Sequence, residues 1–190
     1  MANKIKSCVL ISGNGSNLNS IINRSRDYNF PIKICLIITD NVNAKGIFFA
    51  KKYSIPYKIF LPKNRIKFER NCLNEIKKNK IKLLCLAGFM RILSKDFISE
   101  FGNKIINIHP SLLPKYKGLN THKRVIKNKE KFTGCSVHLV NSKLDSGKII
   151  LQKKIRILKK DNEKTLAKRL LKTENLLYPK ALKKFINSNF

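Results

Sequence analysis

Val9-Leu10-Ile11-Ser12-Gly13-Asn14-Gly15-Ser16-Asn17-Leu18 is the stretch on which the fold turns. An apolar run, Val9–Ser12, ends in a glycine-bearing loop. Leu18, Ile21 and Ile22 then recur at helical spacing. The pattern is strand, tight loop, helix. Glycines at 13 and 15 let backbone N–H groups approach an anion closely. The helix N-terminus adds a positive dipole end, and Ser16 and Asn17 add side-chain donors. An anion held against Gly15, Ser16 and Asn17 is therefore expected. The competing reading is a plain tight turn capped by Ser16. A dinucleotide site also stays open, since Gly13-Asn14-Gly15 begins a GxGxxG pattern and Asp40 could bind a ribose. Leu18, however, stands where the third glycine belongs. No Gly-Lys-Ser/Thr ending follows, which excludes an ATP-binding P-loop.

Outward from this unit the chain alternates. Strands are expected at Ile32–Thr39, Tyr57–Phe60, Leu83–Ala87 and Ile105–His109. Helices are expected at Ala44–Tyr53, from Phe68 to about Asn79, and at Lys95–Phe101 behind a Ser94 cap. Such alternation implies an α/β fold: a Rossmann-like, doubly wound, mostly parallel sheet with helices on both faces. After Pro110 a Pro/Gly-punctuated loop leads to a short helix over Thr121–Asn128. Two strands follow, Gly134–Val140 and Lys148–Ile157, and then a long basic helix from Asn162 to about Phe185. Leu166, Leu170, Leu177 and Leu182 form its apolar side. The 190 residues suit a single domain, 1–190, with a nucleotide-binding-like half over 1–109 and a C-terminal half over 110–190.

Lys and Arg number 41 against 11 Asp and Glu, a net charge of +30. The charge is spread from Lys4 to Lys184, alongside an excess of Asn and Ile and no Trp. That joint bias points to AT-rich codons and a solvated surface, not to a nucleic-acid site; an even basic field would still attract small anions. No apolar run approaches the roughly 20 residues of a membrane span, and no secretory leader is evident. The five cysteines, with no CxxC, read as small core residues in a reducing cytoplasm. No HxH or HExxH spacing supports a metal site. No GxSxG elbow supports a nucleophilic hydrolase.

The second chemical signal is Ile106-Asn107-Ile108-His109-Pro110. Alternate strand residues share a face, so Asn107 and His109 project together at a strand's carboxyl end, where open α/β sheets bind ligands. Asn offers a neutral donor and His an acid or base, together enough to stabilise an oxyanion. Asp145, one of few acids, sits in a turn and could raise the His109 pKa. A buried histidine without a chemical role is the alternative. His138 alternates within Ser136–Val140, facing either solvent or core, and His122 begins the short helix.

Three motifs carry a resemblance: Val9–Leu18, Leu86-Ala87-Gly88-Phe89-Met90-Arg91-Ile92-Leu93-Ser94, and Asn107-Ile108-His109-Pro110-Ser111-Leu112-Leu113-Pro114-Lys115-Tyr116. In this order, with Leu144-Asp145-Ser146-Gly147, Ile149–Gln152, Glu174 and Tyr178-Pro179, they resemble the phosphoribosylglycinamide formyltransferase family over nearly the whole chain. The resemblance implies the formyltransferase fold and formyl transfer from 10-formyltetrahydrofolate, as co-substrate, to the amine of glycinamide ribonucleotide. It implies that Gly15, Ser16, Asn17 and Glu174 bind the ribonucleotide. Arg65, Met90, Arg91, Ile92, Leu93 and Asn107 would line the folate site. Asn107, His109 and Asp145 would form the catalytic group, with no metal. The partners implied are small molecules, without nucleic acid or membrane, for a cytoplasmic monomer or homodimer. A cis Leu113–Pro114 bond is also expected.

The chain departs from the family pattern at Lys117, Asn120, Cys135 and Ser146, where Pro, His, Thr and Gly are usual. Methionyl-tRNA formyltransferase shares the His-Pro-Ser-Leu-Leu-Pro motif and is the alternative activity. It is expected to need a further C-terminal RNA-binding domain. A formyltetrahydrofolate hydrolase is expected to need an additional N-terminal one.

Overall fold

The computed structural model describes residues 4–102 and 104–189. Seven strands and six helices alternate in it: β1 (Ile5–Ile11), α1 (Ser16–Ser25), β2 (Ile32–Thr39), α2 (Ile47–Lys52), β3 (Tyr57–Ile59), α3 (Arg65–Lys78), β4 (Leu83–Leu86), α4 (Lys95–Phe101), β5 (Ile105–His109), α5 (Thr121–Lys127), β6 (Phe132–Leu139), β7 (Ile149–Arg156) and α6 (Glu163–Asn189). The strands form one mostly parallel sheet in the order β3-β2-β1-β4-β5-β6-β7. The chain divides into two compact units, Met1–Ile106 and Asn107–Phe190.

In the first unit β1 lies parallel to β2 on one side and to β4 on the other, and β2 is parallel to β3. Cys8, Val9, Leu10 and Ile11 of β1 are fully buried. Continuous burial is the signature of a parallel strand covered on both faces. β1 starts four residues before the expected Val9, because Ile5 pairs with Ile32 despite polar Lys6 and Ser7. α3 likewise starts earlier than expected. Asn64 Oδ1 accepts from Lys67 N at 2.9 Å and caps a first turn, Arg65-Ile66-Lys67, that carries no apolar stripe. Ser94 caps α4 as expected. α2 is shorter than expected, because an Asn41-centred turn occupies the chain just before it, with Asn43 N donating to Asn41 Oδ1.

In the second unit β6 and β7 pair antiparallel, from Phe132 opposite Arg156 to His138 opposite Ile149. α6 packs on both strands and on α5. It buries Leu166, Leu170, Leu177 and Leu182, the side expected of it. It also runs past its expected end to Asn189, through Pro179, which lies buried inside the helix. The Leu113–Pro114 peptide is cis, as expected. No helix among the described residues is long and apolar enough to cross a membrane.

Candidate active site

β5 ends on His109, only 6% exposed, and the following Pro110 stops the strand. The imidazole lies between two oxygens. Nε2 is 2.8 Å from the Tyr116 carbonyl, and Nδ1 is 3.3 Å from Asp145 Oδ2. Both neighbours are acceptors, so together they favour the doubly protonated ring. Burial opposes them and is the strongest influence. His138 and the Arg124 guanidinium add positive potential, and the His109 pKa lies below its ordinary 6.5. Asp145 thus acts in the expected direction, but the burial of His109 outweighs it.

Asp145 sits in a left-handed backbone conformation, φ 45°, in the turn between β6 and β7. Its Oδ2 accepts from Gly118 N at 2.8 Å, and its Oδ1 lies 3.6 Å from His138 Nε2. Burial pushes this carboxyl up. Hydrogen bonds from His138 and Gly118, with the charges of the two histidines, more than compensate and hold it below the usual carboxylate range.

His138 is 2% exposed and neither solvent-facing nor idle. Its Nδ1 is 2.8 Å from the Leu139 carbonyl, an acceptor, so that nitrogen carries the proton. Its Nε2 lies 3.3 Å from Asn107 Nδ2 and 3.6 Å from Asp145 Oδ1. A connected chain results, with both histidines buried and Asn107 and Asp145 half-buried: Asn107, His138, Asp145, His109. Sequence reasoning missed His138. The period-2 rule pairs it on one strand face with Ser136, and Ser136 Oγ, also buried, donates to the Ser111 carbonyl at 2.6 Å. Two alternate polar residues in a strand otherwise buried almost throughout were the available sign. The Tyr116–Gly118 turn was also missed, because its contribution is main-chain and leaves no mark on side-chain type.

In the first unit, Gly15 is the N-cap of α1, with φ 74°, and no side chain caps the helix. Ser16 is therefore the first helical residue, not the cap. Gly15 also has no room for a side chain: a Cβ there would lie 2.5 Å from Gly46 Cα. A helix start leaves its leading N–H groups without intrahelical partners, which suits an anion. Asn17 is buried beside it. Asp40 does not present an open carboxylate for a ribose. It is buried, and Arg91 Nε donates to its Oδ2 at 2.6 Å. That pairing, with Leu18 in place of a third glycine, removes the dinucleotide alternative.

The expected folate residues of the first unit divide by exposure. Met90 is 68% and Ile92 62% exposed, whereas Leu93 is buried. The Met90 N–H donates to Ser12 Oγ at 3.0 Å, tying this segment to the end of β1. Arg65 pairs with Glu69 at 3.2 Å, and the same Glu69 oxygen accepts from Ser94 N at 2.8 Å. In the second unit, Glu174 is buried on α6. Four cysteines, Cys8, Cys72, Cys85 and Cys135, are buried, and none of the five forms a disulfide. Burial pushes Cys72 and Cys135 each up to about 12, so they are inert thiols. No group of three or more His, Cys, Asp or Glu among the described residues is arranged to hold a metal ion.

Residues 5–182 match the family described as Formyl transferase. The chain is 39% identical to the phosphoribosylglycinamide formyltransferase of Haemophilus influenzae over 95% of its own length and 86% of that protein's. It is 38% identical to the human trifunctional purine biosynthetic protein adenosine-3 over 94% of its length, but spans only 18% of that protein. Among solved structures, the phosphoribosylglycinamide formyltransferase of Brucella melitensis superposes with a TM-score of 0.92, at 38% identity and 96% coverage of both chains.

Proposed function

The chain belongs to the formyl transferase family, and from that premise we propose that it is a phosphoribosylglycinamide formyltransferase. It moves the formyl group of 10-formyltetrahydrofolate to the amine of glycinamide ribonucleotide, giving the N-formyl product and tetrahydrofolate in purine (IMP) biosynthesis. The observation that carries the reading is the chain of contacts from Asn107 through His138 and Asp145 to His109. It supplies a neutral donor, a proton carrier and a counter-charge within one cluster.

The substrate amine attacks the formyl carbon, and the carbonyl oxygen becomes an oxyanion. Asn107 donates to it, and His109 stabilises it once the ring has taken up the amine's proton. His109 is held mainly neutral at rest by burial, so it can accept the proton that the attacking nitrogen must lose. Asp145 then stabilises the imidazolium. The proton passes to the folate nitrogen as the carbon–nitrogen bond to the carrier breaks. Nδ1 faces Asp145, so contact between His109 and a reacting atom runs through Nε2, the nitrogen that the Tyr116 carbonyl holds in place until substrate engages it. Direct transfer of this kind needs neither a metal nor a covalent enzyme intermediate.

Gly15, Ser16 and Asn17 take the ribonucleotide phosphate in this reading, and Glu174 contributes to the same substrate. Arg65, the Met90–Leu93 segment and Asn107 take the folate. The chain then works as a single formyltransferase domain in the cytoplasm, as a monomer or homodimer, on small molecules and not on nucleic acid. The test is an assay of formyl transfer to glycinamide ribonucleotide with methionyl-tRNA as the competing acceptor. Product from the ribonucleotide alone supports the reading; transfer only to methionyl-tRNA overturns it.

A further inference from the structure

Two main-chain groups of one short turn hold both members of the His109–Asp145 pair. The Tyr116 carbonyl faces His109 Nε2 at 2.8 Å, and the Gly118 N–H donates to Asp145 Oδ2 at 2.8 Å. The turn is not relaxed by itself. Tyr116 is left-handed, with φ 57°, and Asn120 has the same φ. Left-handed non-glycine residues persist only where neighbours over-determine them.

Arg124, on α5, supplies that constraint. Its Nη1 donates to the Lys117 carbonyl at 2.6 Å and reaches the Leu119 carbonyl at 3.5 Å. Its guanidinium lies 5.3 Å from the Tyr116 ring centroid, a cation–π contact. One planar group therefore grips the backbone on either side of Gly118 and the side chain before it. Both main-chain contacts are made by Nη1 while the planar guanidinium lies near the ring; a shorter lysine with a compact, strongly hydrated ammonium does not reproduce that set. Further contacts secure the same turn. The Tyr116 hydroxyl donates to Glu130 at 2.8 Å, and Lys117 Nζ donates to Ser146 Oγ at 2.5 Å, beside Asp145.

We propose that Arg124 is a positioning residue for formyl transfer: it fixes the Tyr116–Gly118 turn, and through the turn it aligns His109 and Asp145. The proposal rests on the reading of that pair as the proton-carrying group. It has an opposite in simple electrostatics. The charged or titratable groups facing His109 are Asp145, His138, His122 and Arg124 itself. Arg124 acting only as a nearby cation would depress the ionisation of His109, and its removal would raise it. Acting through the turn, its removal loosens the Tyr116 and Asp145 contacts that favour the charged ring, and ionisation moves down.

The experiment is an NMR titration of His109 in the full chain, for wild type, Arg124→Ala and Arg124→Lys, alongside steady-state kinetics. His109 is expected to ionise at lower pH in both variants. kcat is expected to fall by about tenfold, with KM for each substrate changed by less than about twofold, the scale of a misaligned reacting group. Arg124→Lys keeps the charge, so its loss of rate separates alignment from potential. It also serves as the test if Arg124→Ala does not fold. Unchanged or raised His109 ionisation in a folded variant, or a fully active Arg124→Lys, overturns the proposal. If wild type forms no N-formyl product, the functional reading fails while the titration still decides the role of Arg124.

Discussion

The Gly13–Asn17 loop and the His109 cluster are built on opposite principles. The loop works through what is missing. Gly15 lacks a side chain, so its φ of 74° and its approach to Gly46 are both possible. Its helix end lacks a side-chain cap, so no capping side chain occupies the start of α1. The cluster works through what is crowded together. Asn107, His138, Asp145 and His109 come from β5, β6 and a turn, and each lies within 3.6 Å of another. A site of the first kind is local, tolerant of side-chain identity and intolerant of added bulk. A site of the second kind is non-local, and a single changed atom breaks it.

The largest effect should come from the cluster. Asp145→Asn keeps the shape and an oxygen for Gly118, but removes the charge beside His109. Formyl transfer is expected to fall by roughly 10²–10⁴-fold, the usual scale for losing acid–base or oxyanion assistance. His109 should ionise at lower pH. Near-normal turnover at pH 7–8 would show that the carboxylate is structural only, and the contrast between the two regions would lose its chemical half.

Gly15→Ala tests the loop. An added methyl meets backbone, not a yielding side chain, and the residue must keep a positive φ. The expected cost is roughly 2–3 kcal/mol of stability in urea denaturation, the upper part of the range for single substitutions. Affinity for the ribonucleotide should weaken more than turnover at saturation. A stable Gly15→Ala protein with unchanged substrate affinity would remove the loop from the site.

The same contrast explains what was legible in the sequence. Local devices were readable. The Val9–Leu18 signature, the Ser94 cap and the Asn107/His109 alternation all follow from neighbours a few residues apart, and the structure carries each. The Asp145 contact depended on a turn 36 residues beyond His109, so only its candidacy was visible. His138 was left undecided, because alternation cannot say which face of a strand is covered or by what. The continuation of α6 through Pro179 was hidden for a related reason. Proline costs a helix one hydrogen bond locally, whereas the burial of Tyr178, Ala181, Leu182 and Phe185 around it is a tertiary gain.

His138→Ala sharpens the comparison from inside the cluster. His138 touches Asn107 and Asp145 but not, in this geometry, the ring of His109 by a hydrogen bond. Its loss should leave Asn107 free to rotate and Asp145 with one contact fewer. About a tenfold fall in kcat is expected, equivalent to roughly 1.4 kcal/mol, with smaller changes in KM. A fall as large as that of Asp145→Asn would place His138 among the reacting groups.

The smallest effect is a slope. Burial lowers the pKa of His109, and also of His122, below the ordinary value of 6.5. Below about pH 6.5 the unfolded chain therefore binds protons that the folded chain resists, so stability is fully present above that pH and is lost as pH falls. Each histidine can contribute at most about 1.4 kcal/mol per pH unit to this loss. Asp145 and Asp161 have folded pKa values held below 3.8. Their contribution is present above that value and disappears only at more acid pH. Denaturation between pH 7 and 5 thus isolates the histidines. His109→Asn should flatten the slope in this window, even though it shifts the absolute stability by leaving Asp145 without one partner. Gly118 and His138 still hold Asp145 ionised there, so the carboxylate adds nothing to the slope. If His109→Asn retains the wild-type slope, burial does not set the ionisation of His109. The proton-accepting step assigned to its neutral form would then lose its basis.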